Sequence, residues 1–503
     1  METIERDSPD GEIVVSSGVS PSGAYHLGTL REIMTAEAIA REFRLRGRDA
    51  RHIHVSDDYD VFRKVPADID ESYSQYLGMP LSDMPAPDGS DQSYADFYVA
   101  DLMPAAQSLN MDMELIRANE RYKDSFFTEA IEKSLENIDA IRSAIEEISG
   151  RSLDPQWSPI QVVEDGRLKN RLFVSINTED KTVTYLDAQG EEATVSYEAG
   201  NVKLNWRIDW PARWWLLGVD IEPFGRDHAT KGGSYDTGEA IVRDVFGAEP
   251  PHPVPYNFIN KAGETKKMSK SKGDSVTAAE LLRNVPAEVV WFFMLRMSPD
   301  KLLFFDTAET LIKLFDEFSE LLSKEDKTEH DEHLLKLCLH GVDEQTISRV
   351  PFTHLFESYQ SSLRDPHKTL EIIRRTEYAQ VVDEEEEIIL RELKFIDSWL
   401  DTWAPENATF TTYEGDVEGL SDTQMQFLRE LADTIEKAPE DADGEWFHKA
   451  IYDYKEALGL TPKELFGALY QSLINKSSGP RAGWFISMLP RDWVVNRLRN
   501  VNN

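Results

Sequence analysis

The sequence predicts an α/β protein in which a parallel sheet, split into two halves by an insertion, precedes a long helical region. Three observations carry that prediction. Residues Val14–Leu30 read VVSSGVSPSGAYHLGTL, an apolar run that breaks at small residues and then launches a helix. Residues 160–200 carry antiparallel β patterns, after which the parallel pattern resumes. From about 310 onward, apolar residues recur at helical spacing.

At 503 residues the chain has room for about two to four domains with sizeable cores. Apolar residues make up 41% and charged residues 29%, the balance of a globular protein. No apolar run approaches the ~18 residues of a membrane span. The acidic start METIERDSPDGE lacks the apolar core of an export signal, so the expected location is the cytoplasm, with no membrane contact. The single cysteine, Cys338, excludes an intrachain disulfide and a multi-cysteine zinc site. The net charge of −38 is unlike that of an ordinary nucleic-acid binder, which is basic. Either the chain binds no nucleic acid, or it works at very high salt, where the Debye length falls to about 3 Å. The acid is spread along the whole chain, which favours a solvated surface adapted to salt, as in halophilic archaea.

In chain order, Ile13-Val14-Val15 starts a strand, and Ser16-Ser17-Gly18 with Pro21-Ser22-Gly23 makes a small-residue turn. A helix then runs over 27–46, with Gly47 at the C′ position. Backbone N–H groups of such a turn and the positive end of the helix suit a phosphate. Gly18, Gly23 and Gly28 leave room for a polyanion. The stretch is neither GxGxxG nor GxxxxGK[ST], so the dinucleotide fingerprint and the P-loop do not apply. His52–Val55 is a second strand, completing a βαβ unit. Its end, Asp57, Asp58 and Asp60, falls on the ligand-binding carboxyl edge of the sheet. Those carboxylates suit a substrate ammonium or Mg²⁺, or they are an ordinary Asp-rich turn.

A Pro/Gly/Asp loop at 80–92 precedes helical patterns at about 94–108 and 125–148. Strands at 172–176, 182–185 and 193–197 make a small antiparallel sheet. Aromatic and Arg residues crowd 206–215, a helix starts at Ser234 and ends at Gly247, and a strand is expected at Val254–Ile259. Five lysines between 261 and 272 form a local positive loop in an acidic chain, well suited to a triphosphate. Thr277 and Glu280 then form a capping box. Near the end, Trp484, Phe485 and Trp493 are either stacking platforms for unpaired bases or core. Lys476, Arg481, Arg491, Arg497 and Arg499 restore some positive charge there.

His26-Leu27-Gly28-Thr29, with Pro21 and Gly23 upstream, resembles the HIGH signature of class I aminoacyl-tRNA synthetases, with Thr29 in place of its second His. Lys267–Ser271 matches the KMSKS signature letter for letter and follows in the right order. The chain as a whole is similar to the class I lysyl-tRNA synthetases found mainly in archaea. The strings that carry this are SGVSPSGAYHLGTLRE, HVSDDYDVFRKVP, RIDWPARW, EPFGRDHATKGGSYDTG and KKMSKSKGD. The likeness is strong over about the first 300 residues and looser beyond.

The resemblance implies a Rossmann-type class I synthetase catalytic domain in two halves, 1–75 and 200–260, with an α+β connective insertion at 76–199. A KMSKS loop and stem-contact region would follow at 261–310, then an all-α anticodon-binding region at 311–503 with a sub-boundary near 404–424. It implies ATP-dependent attachment of L-lysine to tRNA(Lys) through lysyl-adenylate, with Mg²⁺ accompanying ATP. His26, Lys267 and Lys270 are the expected catalytic residues. Pro21, Gly23, Gly28, Thr29, Met268, Ser269 and Ser271 complete the expected ATP site. Gly18, Ser20, Trp210, Trp214, Asp227, His228 and Tyr256 are the expected substrate-site residues. The lysine ε-ammonium needs a carboxylate or an aromatic face, and the sequence singles out none. Many relatives hold zinc in the insertion through a Cys-His pair and two Cys-x-x-Cys knuckles. Here Ser90 and Asp91 stand where the pair would be, and 160–200 has no cysteine, so no structural zinc is expected. No protein partner follows from the sequence. The rival readings are another class I synthetase (glutamyl or cysteinyl), a catalytically inactive RNA-binding relative, and a small nucleotidyltransferase sharing the turn.

Overall fold

The computed structural model describes residues 11–263, 276–406, 409–440 and 442–501. The expected Lys267, Met268, Ser269, Lys270 and Ser271 therefore lie outside the described residues. Two compact units divide the rest. The first takes the described residues of Met1–Phe305 and Glu329–Val342, the second those of Asp306–Thr328 and Asp343–Asn503.

The first unit is built on a five-stranded parallel sheet. Strand β1 (Ile13–Val19) leads through helix α1 (Leu27–Leu45) to β2 (Ala50–Ser56), which pairs with it in parallel. β3 (Met113–Arg117) pairs with β2, again in parallel. That segment falls in the first part of the expected insertion, and the sequence reading places no strand at 113–117. Of its five residues only Ile116 is fully buried, so no apolar run marks it. Within the insertion, β4 (Ile160–Glu164), β5 (Arg167–Asn170) and a later strand form one antiparallel sheet. β6 (Leu172–Asn177), β7 (Thr182–Leu186) and β8 (Glu192–Ser196) form another, and β9 (Val202–Leu204) is the strand that completes the first. β10 (Ile221–Gly225) and β11 (His252–Tyr256) return to the main sheet, giving the order β11-β10-β1-β2-β3. The chain thus leaves β1 in one direction and returns on its other side. The crevice beyond β1 and β10 is the switch point at which open α/β sheets bind ligands.

The expected strand Val254–Ile259 is two strands. Its second part, Ile259–Lys261, pairs with Leu303–Phe305 outside the main sheet. The helix predicted over 94–108 is broken into Tyr94–Val99 and Leu102–Ser108. One face of the sheet is covered by α1, where Ile13, Val15, Ala36, Ala40, Phe43, Ala50 and Ile221 form an apolar cluster. The other face carries Val14, Ile53, Val55 and Ile116, packed with residues of the insertion and of the helix Trp206–Leu217.

The second unit is helical apart from its connections. Its last part, from Asp422 to Arg499, is a bundle around Phe427, Leu431, Leu469 and Leu473. Phe485 is fully buried in that bundle, so core packing, not base stacking, explains it. Much of the late positive charge is spent internally. Arg491 donates to the carbonyls of Ala438 and Pro439, and Arg499 pairs with Asp433 and Glu436. The helix Glu329–Cys338, expected within the C-terminal region, belongs to the first unit. Arg41 of α1 donates to the carbonyl of Leu337 at 2.9 Å, and His333 meets Glu42 at 2.8 Å. Among the described residues no helix is long and apolar enough to cross a membrane.

Candidate active site

The HLGT turn closes the front of α1. His26 is the N-cap: its Nδ1 accepts from the Thr29 N–H at 3.2 Å, while the Thr29 hydroxyl accepts from the His26 N–H at 2.8 Å. Thr29, the departure from the HIGH pattern, is thus a capping partner. Gly28 is required beside it, because a Cβ there would meet the His26 ring at 2.8 Å. The segment after the lysine loop runs alongside. His26 bridges to Thr277, Leu27 N–H donates to the carbonyl of Val276, and Ala278 N–H donates to that of Tyr25. Thr277 in turn caps the helix Ala278–Asn284 by accepting from the Glu280 N–H. The first described residues past the KMSKS stretch are therefore pinned to the HLGT turn.

Beside this turn, at the carboxyl ends of β1 and β10, lies a cavity of about 270 Å³. Its lining includes Gly18, Ser20, Trp210 and His228 of the expected substrate residues, and also Glu32, Asp57, Asp60, Arg213, Glu222 and Phe224. Glu32 accepts from the Gly18 N–H at 2.9 Å and from the Tyr256 hydroxyl at 2.8 Å. Glu222 accepts from the indole N–H of Trp210 at 2.7 Å and of Trp214 at 2.5 Å. All four donors are neutral. Burial pushes both carboxyls up to about 7, more than their hydrogen bonds bring them down.

A second set of lining carboxylates is different. Lys203 meets Asp209 at 3.0 Å, Arg213 meets Asp57 at 3.0 Å and also pairs with Asp209, and the Tyr122 hydroxyl donates to Asp209 at 2.7 Å. Burial works against each charge, yet Asp209, Asp57 and Asp60 together hold the Lys203 ammonium above its ordinary value, and Arg213 and Lys203 hold Asp209 below its own. Asp58, one of three aspartates suited by sequence to an ammonium or Mg²⁺, is not part of the cavity lining. It is fully buried, pairs with Arg117 at 2.5 Å and accepts from the Asn119 N–H. Asp57 and Asp60 do reach the cavity, but each already has an arginine, Arg213 and Arg63.

Of the other expected substrate residues, Trp214 and Tyr256 stand one layer behind the lining and hold Glu222 and Glu32. Asp227 is exposed, its carboxylate folded over Gly225, where a Cβ would meet it at 2.6 Å. Pro21, Gly23, His26, Gly28 and Thr29 lie outside the lining, on the turn itself. Sequence reasoning misses Glu32 and Glu222. The available signal was a glutamate on the inner side of α1 and another inside the apolar run Ile221–Phe224, each an ionisable residue where an apolar one is expected.

A class I aminoacyl-tRNA synthetase brings a histidine turn and a lysine loop to one edge of a parallel sheet, and here the turn and the loop's flank meet in that relation. The family described as "tRNA synthetases class I (K)" matches residues 1–342, ending where the first compact unit ends. Lysine–tRNA ligase 1 of Methanosarcina acetivorans is 35% identical over 98% of this chain and 96% of its own length. The lysine–tRNA ligase of Archaeoglobus fulgidus is 35% identical over 96% of both chains, and that of Pyrococcus furiosus 34% identical over 97% and 96%. The chain belongs to the class I lysyl-tRNA synthetase family.

Proposed function

We propose that this chain joins L-lysine to tRNA(Lys) in the cytoplasm, using ATP and a lysyl-adenylate intermediate. The observation that carries the choice of lysine is the pair Glu32 and Glu222: two cavity-facing carboxylates held only by neutral donors, in the pocket of a class I synthetase fold. An ammonium inserted there replaces the proton that burial favours and forms charge-assisted hydrogen bonds. Trp210, Phe224 and His228 suit the aliphatic stem, and Ser20 with the Gly18 backbone suits the α-amino end.

In the first step a lysine carboxylate oxygen attacks the α-phosphorus of ATP, and the bond to pyrophosphate breaks. Positioning and neutralisation of charge do most of this work. His26 and the first turn of α1 at Gly28 and Thr29, entered through Pro21 and Gly23, are assigned to the phosphates. Lys267 and Lys270 are assigned to the departing pyrophosphate, with Met268, Ser269 and Ser271 as their loop. In the second step a terminal ribose hydroxyl of tRNA attacks the lysyl carbonyl and AMP leaves. Mg²⁺ accompanies the ATP phosphates; Asp57, Asp58 and Asp60 are committed to arginines and are not assigned to it. The helical second unit is assigned to the anticodon.

A panel of twenty amino acids in ATP–pyrophosphate exchange tests the reading. Lysine alone should support exchange; exchange with glutamate or cysteine instead would favour the rival synthetases, and none with any amino acid an inactive relative. Lys270→Ala should lower the exchange kcat about a hundredfold with lysine KM within about threefold. Equal losses in both would contradict its role at pyrophosphate.

A further inference from the structure

Toward its carboxyl end, the face of the sheet under α1 changes from apolar to polar. Beyond Val15 and Ala50 come Ser17, His52 and His54, with Glu37 of α1 against them, and all four are at most 1% exposed. His52 Nδ1 lies 3.0 Å from Glu37 Oε2 and its Nε2 lies 2.9 Å from Ser17 Oγ. Ser17 Oγ lies 2.8 Å from His54 Nδ1. The other oxygen of Glu37 meets Arg44 at 3.1 Å.

One placement of hydrogens uses every contact and leaves no buried N–H without an acceptor. Glu37 accepts, so His52 carries its hydrogen on Nδ1 and offers Nε2 as an acceptor. The Ser17 hydroxyl donates to that nitrogen and accepts from His54 Nδ1–H. His54 Nε2, which has no hydrogen-bond partner, is then a bare lone pair, whereas a buried N–H there would be orphaned. Burial pushes the His54 imidazole down to about 3, in keeping with a neutral ring. The hydrogen bonds run in one direction, from His54 through Ser17 and His52 to Glu37.

A buried polar layer costs more than the valines and leucines that would fill this space, unless its geometry is used. Ser17 of this layer stands next to Gly18, whose N–H is aimed at Glu32. Ser17 and Gly18 both border the cavity. We propose that Ser17, locked by His52 and Glu37, is a positioning residue that fixes the end of β1 so that Gly18 and Glu32 present the carboxylate to the lysine ammonium. This rests on the lysine reading above. No ATP group is assigned to this layer, so its loss should fall on lysine and spare ATP.

The test is lysine-dependent ATP–pyrophosphate exchange by the full-length chain. Ser17→Ala should raise lysine KM about tenfold with ATP KM within about twofold. An amide distinguishes the two contacts of His52. His52→Gln can still reach Ser17 and should keep lysine KM within about threefold of the parent, whereas His52→Asn reaches only Glu37 and should behave like Ser17→Ala. If Ser17→Ala does not fold, the two His52 variants decide alone. Lysine KM unchanged in folded variants, equal rises for lysine and ATP, or His52→Gln and His52→Asn behaving alike would each overturn the proposal. Failure of the parent chain to exchange with lysine would count against the lysine reading instead.

Discussion

Two groups of carboxylates border the same cavity, and they differ in what meets them. On one wall Asp57 and Asp209 are closed by Arg213, Lys203 and Tyr122, so each buried charge has an opposite charge. On the other, Glu32 and Glu222 have only neutral donors. A closed set has nothing left to offer a ligand, and its value lies in holding Lys203 of β9, the helix Trp206–Leu217 and the end of β2 together. An open set is destabilised until a cation arrives. Under the proposed function the difference separates a structural wall from a recognition wall, although both consist of buried acid.

The comparison can be broken in three ways, the largest effect first. Lys203→Met removes one partner from the closed wall and leaves acid uncompensated. It should cost about 3–5 kcal/mol of stability, read by denaturant unfolding. A loss below about 1 kcal/mol would mean that this wall does not need its cation. Glu222→Gln removes a charge from the open wall and leaves one acceptor oxygen for two indole N–H groups that now use one oxygen each. It should cost about 1–2 kcal/mol of stability for the orphaned indole, less than Lys203→Met, and raise lysine KM about tenfold, worth about 1.4 kcal/mol, with ATP KM unaffected. A large loss of stability instead would place Glu222 with the structural wall.

The smallest effect is the pH dependence of the free chain. Glu32 and Glu222 sit near 7 when folded, against 4.5 without burial. A raised carboxyl gives stability that is fully present below the unfolded value and is lost as pH rises through the folded one. Tm should therefore fall by a few degrees, about 3 °C, between pH 5 and pH 8. Saturating lysine should flatten that fall, because ammonium takes the place of the proton. An equally steep fall with lysine present would disconnect these carboxylates from the ligand.

The parts of the molecule legible in its sequence were those with local signals. The βαβ start shows through the break at Ser16–Gly18 and the helical spacing of Leu27, Leu30, Ile33 and Phe43, and the capping residue Thr277 through its Glu280 three positions on. β3 was not legible, because four of its five residues are incompletely buried and the strand takes its place from pairing with β2. The cavity was half legible. Gly18, Ser20, Trp210 and His228 lie in motifs, whereas Glu32 sits in a helix that reads as core cover and Glu222 in a strand that reads as apolar. Their meaning comes from residues more than 200 positions away in the case of Tyr256 and Glu32, a distance no spacing rule spans. Asp57, Asp58 and Asp60 look alike in sequence, and only their arginine partners tell them apart.

The central claim is that the open wall reads the lysine ammonium, and comparing lysine with norleucine tests it most directly. Norleucine keeps the aliphatic stem and lacks the charge. Exchange kcat/KM should favour lysine strongly in the parent chain, and Glu32→Gln should shrink that preference by about a hundredfold while leaving norleucine almost unchanged. A preference for lysine that survives Glu32→Gln intact would contradict the account.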